Sequence, residues 1–344
     1  MGNTQNQRAD ETGETTTTAK LSAPSVWGRS VWSPRIVGLW LIPLSIACSS
    51  QLPPTEPATS PTTANSLKPN AATSPSPPSP VARMTVTNAT IGWNRNLSVD
   101  DVAYDLYLPP GYGEGSAFDF PCLLVLPGWD FPRSSWVENA PLVEYADRYG
   151  YALILPEMGQ TLYESAYYLE TELRWNAVPG GEFVKERLIP TLQNRHGLLR
   201  PGQHNALLGL STGGRGVALI ALENPGLFVV GASVSGDFSQ ENTPDDRLMS
   251  AVYGSFARFR ERWTGRDNPQ KRVEEWQMPL YLAHGTADDI VPESQSRLFY
   301  QALVKTHGDR IPIRYNPVEG AGHDYTFWGG QLDEIFEFLD RKFR

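Results

Sequence analysis

Ala206-Leu207-Leu208-Gly209-Leu210-Ser211-Thr212-Gly213-Gly214-Arg215-Gly216 is an apolar run that ends in G-x-S-x-G and passes into an Ala- and Leu-containing helical pattern. The order reads as a strand, a sharp turn and a helix, with Ser211 at the apex. Gly209 and Gly213 leave room for a turn that a Cβ would block. The serine hydroxyl is thereby lifted away from a sheet toward a ligand. Free N–H groups and the positive dipole end of the helix suit a developing oxyanion. The competing reading is a glycine-rich turn with a passive serine.

A nucleophilic serine needs a base and an acid, and on an α/β-hydrolase sheet these follow it in the order acid, then histidine. Three histidines lie beyond Ser211: His284, His307 and His323. His323 sits in the glycine-rich turn Glu319-Gly320-Ala321-Gly322-His323-Asp324-Tyr325, where a loop can swing an imidazole to a neighbouring strand. His307 reads as a surface cap at a helix C-terminus. His284 ends a strand and shapes the loop after it. For the acid, Asp288 and Asp289 follow the apolar strand Pro279–Ala283, and Asp237 follows the strand before that. Spacing leaves all three carboxylates open.

Several stretches together resemble the esterase D family of α/β-hydrolases, which includes S-formylglutathione hydrolases, feruloyl esterases and mycolyltransferases. They are Gly209-Leu210-Ser211-Thr212-Gly213-Gly214, Phe183-Val184-Lys185-Glu186-Arg187-Leu188-Ile189-Pro190, and Gly322-His323-Asp324-Tyr325-Thr326-Phe327-Trp328. His284-Gly285-x-x-Asp288-x-x-Val291-Pro292 resembles the acid loop of hydrolases more widely. The resemblance implies an α/β-hydrolase fold and a Ser211, Asp288, His323 triad. It also implies an oxyanion site built from the backbone N–H groups of Thr212 and of Trp129, in Pro127-Gly128-Trp129-Asp130 after the third strand. The family usually has His-Gly where this chain has Pro127-Gly128, which removes a polar side chain that normally buttresses the loop. Tyr163 and Trp328 are expected in the substrate wall, together with Trp129, Phe131, Trp136, Trp175 and Phe327; the competing reading, commoner for any one aromatic residue, is core.

Composition excludes other classes. The 344 residues carry a net charge of −9, against nucleic-acid binding, which needs a basic face. Two cysteines and five scattered histidines show no metal-ligand spacing, and no dinucleotide or phosphate loop appears. Neither metal nor cofactor is expected.

The N-terminal part is a different material. Arg29 and Arg35 precede the apolar run Ile36–Ala47, too short for a comfortable membrane span and suited to an export signal. Ala47-Cys48-Ser49 reads as a lipoprotein cleavage site with Cys48 lipidated. Residues 49–82 are rich in Pro, Ser, Thr, Ala and Asn and read as an extended tether. The expected organisation is a signal over 1–47, a tether over 48–83 and a catalytic domain over 84–344, lipid-anchored at the cell envelope. Cys122 is then a small buried hydrophobe.

Strands are expected at Thr85–Trp93, Val102–Leu108, Pro121–Leu126, Tyr151–Leu155, Asn205–Leu210, Phe228–Val234, Pro279–Ala283 and Ile311–Asn316. Helices are expected at Trp136–Arg148, Glu182–Arg195, Thr212–Leu222, Glu293–Thr306 and Gln331–Phe343. This alternation implies a mostly parallel sheet covered on both faces. The segment Asp245–Gln277, with Arg258, Arg260, Arg262 and Trp263, is an insertion that forms a cap or a solvated helix. Three functions compete: a serine carboxylesterase acting on a small or polymer-linked ester, an acyltransferase in which an alcohol replaces water, and a non-catalytic envelope binding domain.

Overall fold

The computed structural model describes residues 89–113 and 120–341. The expected signal, tether and Cys48 lie outside the described residues. Eight strands form one sheet: β1 Gly92–Val99, β2 Val102–Leu108, β3 Cys122–Leu126, β4 Ala152–Pro156, β5 Asn205–Leu210, β6 Val230–Val234, β7 Leu280–Gly285 and β8 Ile313–Val318. Their order is β1-β2-β4-β3-β5-β6-β7-β8. β1 and β2 pair antiparallel, as do β2 and β4; every other pairing is parallel.

Near-continuous apolar runs explain the parallel part. β3, β4, β5, β6 and β7 are buried along their whole length, because helices cover both faces. Side chains still alternate. Cys122, Leu124 and Leu126 enter one core with Leu207, Val217, Phe183 and Phe299, while Leu123 and Val125 enter the other with Leu208, Trp136, Phe336 and Leu339. Burying each such side chain stabilises the fold by about 1.5–3 kcal/mol. Burial also pushes the Cys122 thiol up to about 11, which keeps it a protonated apolar filler.

Two expected elements are corrected. The first strand is Gly92–Val99, and Ala89–Ile91 precede it in no regular structure. Its polar run Asn94-Arg95-Asn96 hid it. The register shifts between Asn94 and Leu97, and Asn96 takes a positive φ of 56°, so the period of two is broken. The single helix expected over Trp136–Arg148 is two, α1 Ser135–Asn139 and α2 Leu142–Tyr149, parted at Pro141, which has no N–H to donate.

The helix before β5 runs as α3 Gly180–Phe183, a wide π turn over Val184–Leu188, and α4 Ile189–His196. Pro190 cannot donate to the carbonyl four residues back, and the wide turn accommodates the lost bond. α5 Thr212–Glu223 follows the serine elbow, the sharp turn with Ser211 at its apex. The cap segment holds α6 Arg247–Tyr253, α7 Arg260–Trp263 and a 3₁₀ turn Pro269–Glu275. α8 Ser294–His307, α9 Tyr325–Gly330 and α10 Leu332–Asp340 complete the chain.

The cap is a built layer. Leu162, Met249, Val252, Tyr253 and Trp263 form a third apolar cluster, with Trp129, Tyr168, Leu173 and Phe256 packed against it. Arg262 stacks on Phe259 at 3.7 Å and pairs with Glu170 at 3.1 Å, while Arg258 and Arg260 stay exposed. Glu223, the last residue of α5, clamps this layer. It accepts from Arg272 at 2.7 Å and from Arg266. Burial pushes its carboxyl up, but the hydrogen bonds from Arg266 and Arg272 outweigh that and hold it at about 2 against an ordinary 4.5. A depressed folded value means the ion stabilises the fold above the ordinary value and loses that effect as pH falls toward 2. Glu223→Gln is therefore expected to cost about 1–3 kcal/mol at neutral pH. In urea titrations the gap to wild type should narrow between pH 4.5 and 2; a gap independent of pH would contradict the ion-pair account.

Candidate active site

Ser211 stands between β5 and α5 with φ 54° and ψ −125°, a conformation that L-residues adopt only where the surroundings impose it. Its N–H donates to the Val234 carbonyl at 3.0 Å, and its carbonyl accepts from the Arg215 N–H at 3.2 Å. The glycines are required by contact. A Cβ on Gly209 would lie 2.1 Å from the Gly213 carbonyl oxygen, and one on Gly213 would lie 2.2 Å from that of Leu126. The first turn of α5 thus presses directly on the end of β3.

Ser211 Oγ lies 3.0 Å from His323 Nε2, and His323 Nδ1 lies 2.7 Å from Asp288 Oδ2. The serine, the imidazole and the carboxylate form one hydrogen-bonded chain. Loop–loop pairing brings the last two together. Ala287 N–H donates to the Ala321 carbonyl at 3.0 Å, Thr286 N–H to Val318 at 2.9 Å, and Gly320 N–H to Thr286 Oγ1 at 2.9 Å. Gly285 permits this approach, since a Cβ there would meet the Ala321 oxygen at 2.2 Å.

The Asp288 side chain is fully buried. Its Oδ1 accepts the N–H groups of Ile290 at 3.0 Å and Val291 at 2.8 Å. His284 Nε2 lies 3.4 Å from Oδ2 and 2.9 Å from the Val291 carbonyl. Because that carbonyl only accepts, Nε2 carries a proton, and Nδ1 meets Ser296 Oγ at 2.7 Å. Burial alone would raise the Asp288 carboxyl. Hydrogen bonds from His284 and His323, with the His323 charge, outweigh it and hold the group far below the usual carboxylate range. Asp289 is exposed, and Asp237 is committed elsewhere, 3.1 Å from the Arg215 guanidinium. His307 is buried rather than a surface cap, its Nε2 2.7 Å from the Val273 carbonyl.

Thr212 follows Ser211 in the chain, and Trp129 follows Gly128 in the loop after β3. Among the described residues neither backbone N–H donates to a protein group, as an oxyanion site requires. Gly128 packs against the elbow: a Cβ there would lie 3.2 Å from Ser211 Cβ.

The two side chains expected in the substrate wall are placed otherwise. Trp328 is 1% exposed, donates from Nε1 to Ser235 Oγ at 3.1 Å, and meets the His323 ring edge-on at 5.0 Å. It backs the imidazole. Tyr163 is also 1% exposed and donates to the Pro127 carbonyl at 2.8 Å. Both rings are core, because each polar end already has a partner inside the protein. Trp136 and Phe327 are core as well, whereas Trp129, Phe131 and Trp175 are half-buried.

One residue escaped the sequence reading altogether. Arg215, fully buried on α5, donates to the Leu162 carbonyl at 3.3 Å, Asp237 Oδ2 at 3.1 Å, Gln240 Oε1 at 3.0 Å, the Tyr253 hydroxyl at 3.2 Å and the Asp267 carbonyl. It ties the elbow helix to the cap. No sequence signal marks it, because an arginine beside two glycines reads as surface.

An eight-stranded, mostly parallel sheet with a serine elbow after its fifth strand defines an α/β-hydrolase. The model of the family described as "Putative esterase" matches residues 99–339, and the chain belongs to that family. It is a serine hydrolase of carboxylic esters. The diacylglycerol acyltransferase/mycolyltransferase Ag85A of Mycobacterium tuberculosis is 22% identical over 240 residues, 60% of this chain and 69% of the relative. An acetyl esterase of Caldicellulosiruptor saccharolyticus is 24% identical over 244 residues, 64% of this chain and 83% of its own. An S-formylglutathione hydrolase from Agrobacterium tumefaciens superposes with a TM-score of 0.59 at 18% identity, over 75% of this chain and 98% of its own.

Proposed function

We propose that Ser211, His323 and Asp288 form the catalytic triad of an exported carboxylesterase. One observation carries the reading: the continuous Ser211–His323–Asp288 chain, with both links inside the range of working proton-transfer geometry. Ser211 Oγ attacks the ester carbonyl while Nε2 takes its proton. The tetrahedral oxyanion lies between the N–H groups of Thr212 and Trp129. His323 then protonates the departing alcohol, leaving an acyl-serine. Water, deprotonated by His323, releases the acid and restores the serine. Asp288 holds Nδ1–H in place and stabilises the imidazolium.

The likeness to Ag85A favours a second reading, in which an alcohol replaces water at the last step. Turnover of p-nitrophenyl acetate with and without an alcohol acceptor separates the two. Release of free acid alone means hydrolase, a new ester means transferase, and no turnover leaves a binding domain.

Lipid anchoring is part of the same proposal. The short apolar run before Cys48 and the Pro- and Ser-rich stretch after it support a lipidated N-terminus on a tether. Mass spectrometry of the membrane fraction should find an N-terminal acylated Cys48, and Cys48→Ser should abolish that anchoring without changing kcat. An unmodified N-terminus upstream of Cys48 would rule the anchor out.

A further inference from the structure

We propose that Tyr163 is the positioning residue of the oxyanion site: through its hydroxyl it fixes the loop that presents the Trp129 N–H. The inference rests on the triad reading above and adds to it a residue that no motif marks.

Pro127 has no N–H to donate, and one turn bond, from the Phe131 N–H to the Gly128 carbonyl at 3.2 Å, closes the loop after β3 on itself. Its main chain is also held from outside, at two points on either side of Trp129. The Pro127 carbonyl accepts from the Tyr163 hydroxyl at 2.8 Å, and the Asp130 N–H donates to the Gly159 carbonyl at 2.9 Å. Both anchors belong to the 159–163 segment after β4. The two bonds bracket the amide that would meet the oxyanion.

The brace is itself tightly held. Tyr163 adopts φ 56°, a backbone conformation that costs free energy and persists only where neighbours impose it. The neighbours are on hand. The Glu164 carboxylate gathers Thr161 Oγ1 at 2.7 Å, the Leu162 N–H at 2.9 Å and the Gly180 N–H at 3.3 Å. Thr161 Oγ1 accepts the Tyr163 N–H at 2.9 Å, and Arg215 holds the Leu162 carbonyl. The ring lies flat on α5 at Gly216, where a Cβ would stand 2.8 Å from it. Strain at one residue, supported on every side and ending in one hydroxyl on the oxyanion loop, is the arrangement expected of a positioning device.

Tyr163→Phe keeps the ring and removes the hydroxyl. Loss of one oxyanion donor typically costs a hundredfold or more in kcat, and a donor left in place but loosened should cost about 10- to 100-fold. KM should change less than threefold. A boronic acid, whose tetrahedral adduct on Ser211 carries the oxyanion, should lose affinity by the same factor as kcat/KM. A neutral ground-state analogue should bind as before. Gly216→Ala, which pushes the ring from the opposite side, should give the same signature and keeps the test open if Tyr163→Phe folds poorly. Wild-type kcat in both variants, or a kcat loss with unchanged boronate affinity, overturns the proposal. Ser211→Ala is the separate control: hydrolysis surviving in that variant refutes the triad reading instead.

Discussion

Ser211→Ala is expected to lower ester hydrolysis by about 10⁴- to 10⁶-fold with the fold unchanged. The magnitude follows from the site's construction. Among the described residues no other side-chain hydroxyl is hydrogen-bonded to His323, so no second nucleophile inherits the base. If the Thr212 and Trp129 amides form the proposed oxyanion site, they remain in the variant and sustain a residual rate without the nucleophile. A fluorophosphonate should label wild type at Ser211 and leave the variant unlabelled. Turnover within tenfold of wild type, or a label mapped to another serine, would exclude the nucleophile. Melting curves should coincide within a few degrees, because alanine removes only an oxygen at a position that is already strained.

Asp288→Asn is expected to cost about 10³- to 10⁴-fold in kcat. Two backbone donors, Ile290 and Val291, converge on Oδ1 and dictate how the new amide lies. Its oxygen takes the place of Oδ1 and accepts from both N–H groups, and its NH2 turns to His323 and His284. An N–H then faces Nδ1, so the imidazole keeps its proton on Nε2 and cannot accept one from Ser211. Asp289→Asn, at an exposed position, should be within twofold of wild type. Asp237→Asn should lower stability through Arg215 far more than it lowers kcat. A crippling Asp237→Asn beside an active Asp288→Asn would transfer the acid to the earlier strand.

The elbow was readable in sequence because its demands are local. Glycine at 209 and 213 is imposed by contacts under 2.5 Å with neighbouring backbone, and a serine between a strand and a helix has few other uses. The parallel strands were readable because burial on both faces leaves apolar runs. Choosing among Asp288, Asp289 and Asp237 required the tertiary pairing of two loops 35 residues apart, which spacing does not encode. Tyr163 and Trp328, expected in a substrate wall, have buried rings whose polar ends are bonded inside the protein, and an aromatic residue in sequence does not disclose which end is buried. β1 was misplaced because a bulge breaks the alternation that reveals an edge strand.

The buried guanidinium of Arg215 bears on how this protein can be recombined. Its five partners come from the 160s segment, the segment after β6 and the cap. A chimera that exchanges residues 245–277 for a relative's cap would leave the guanidinium its ion pair with Asp237 but take away the Tyr253 hydroxyl and the Asp267 carbonyl, and each lost hydrogen bond to a buried charge costs about 1.5–3 kcal/mol. Cap and elbow are therefore inherited together. A transplanted cap will be accepted only if it brings a carbonyl and a hydroxyl to the same point.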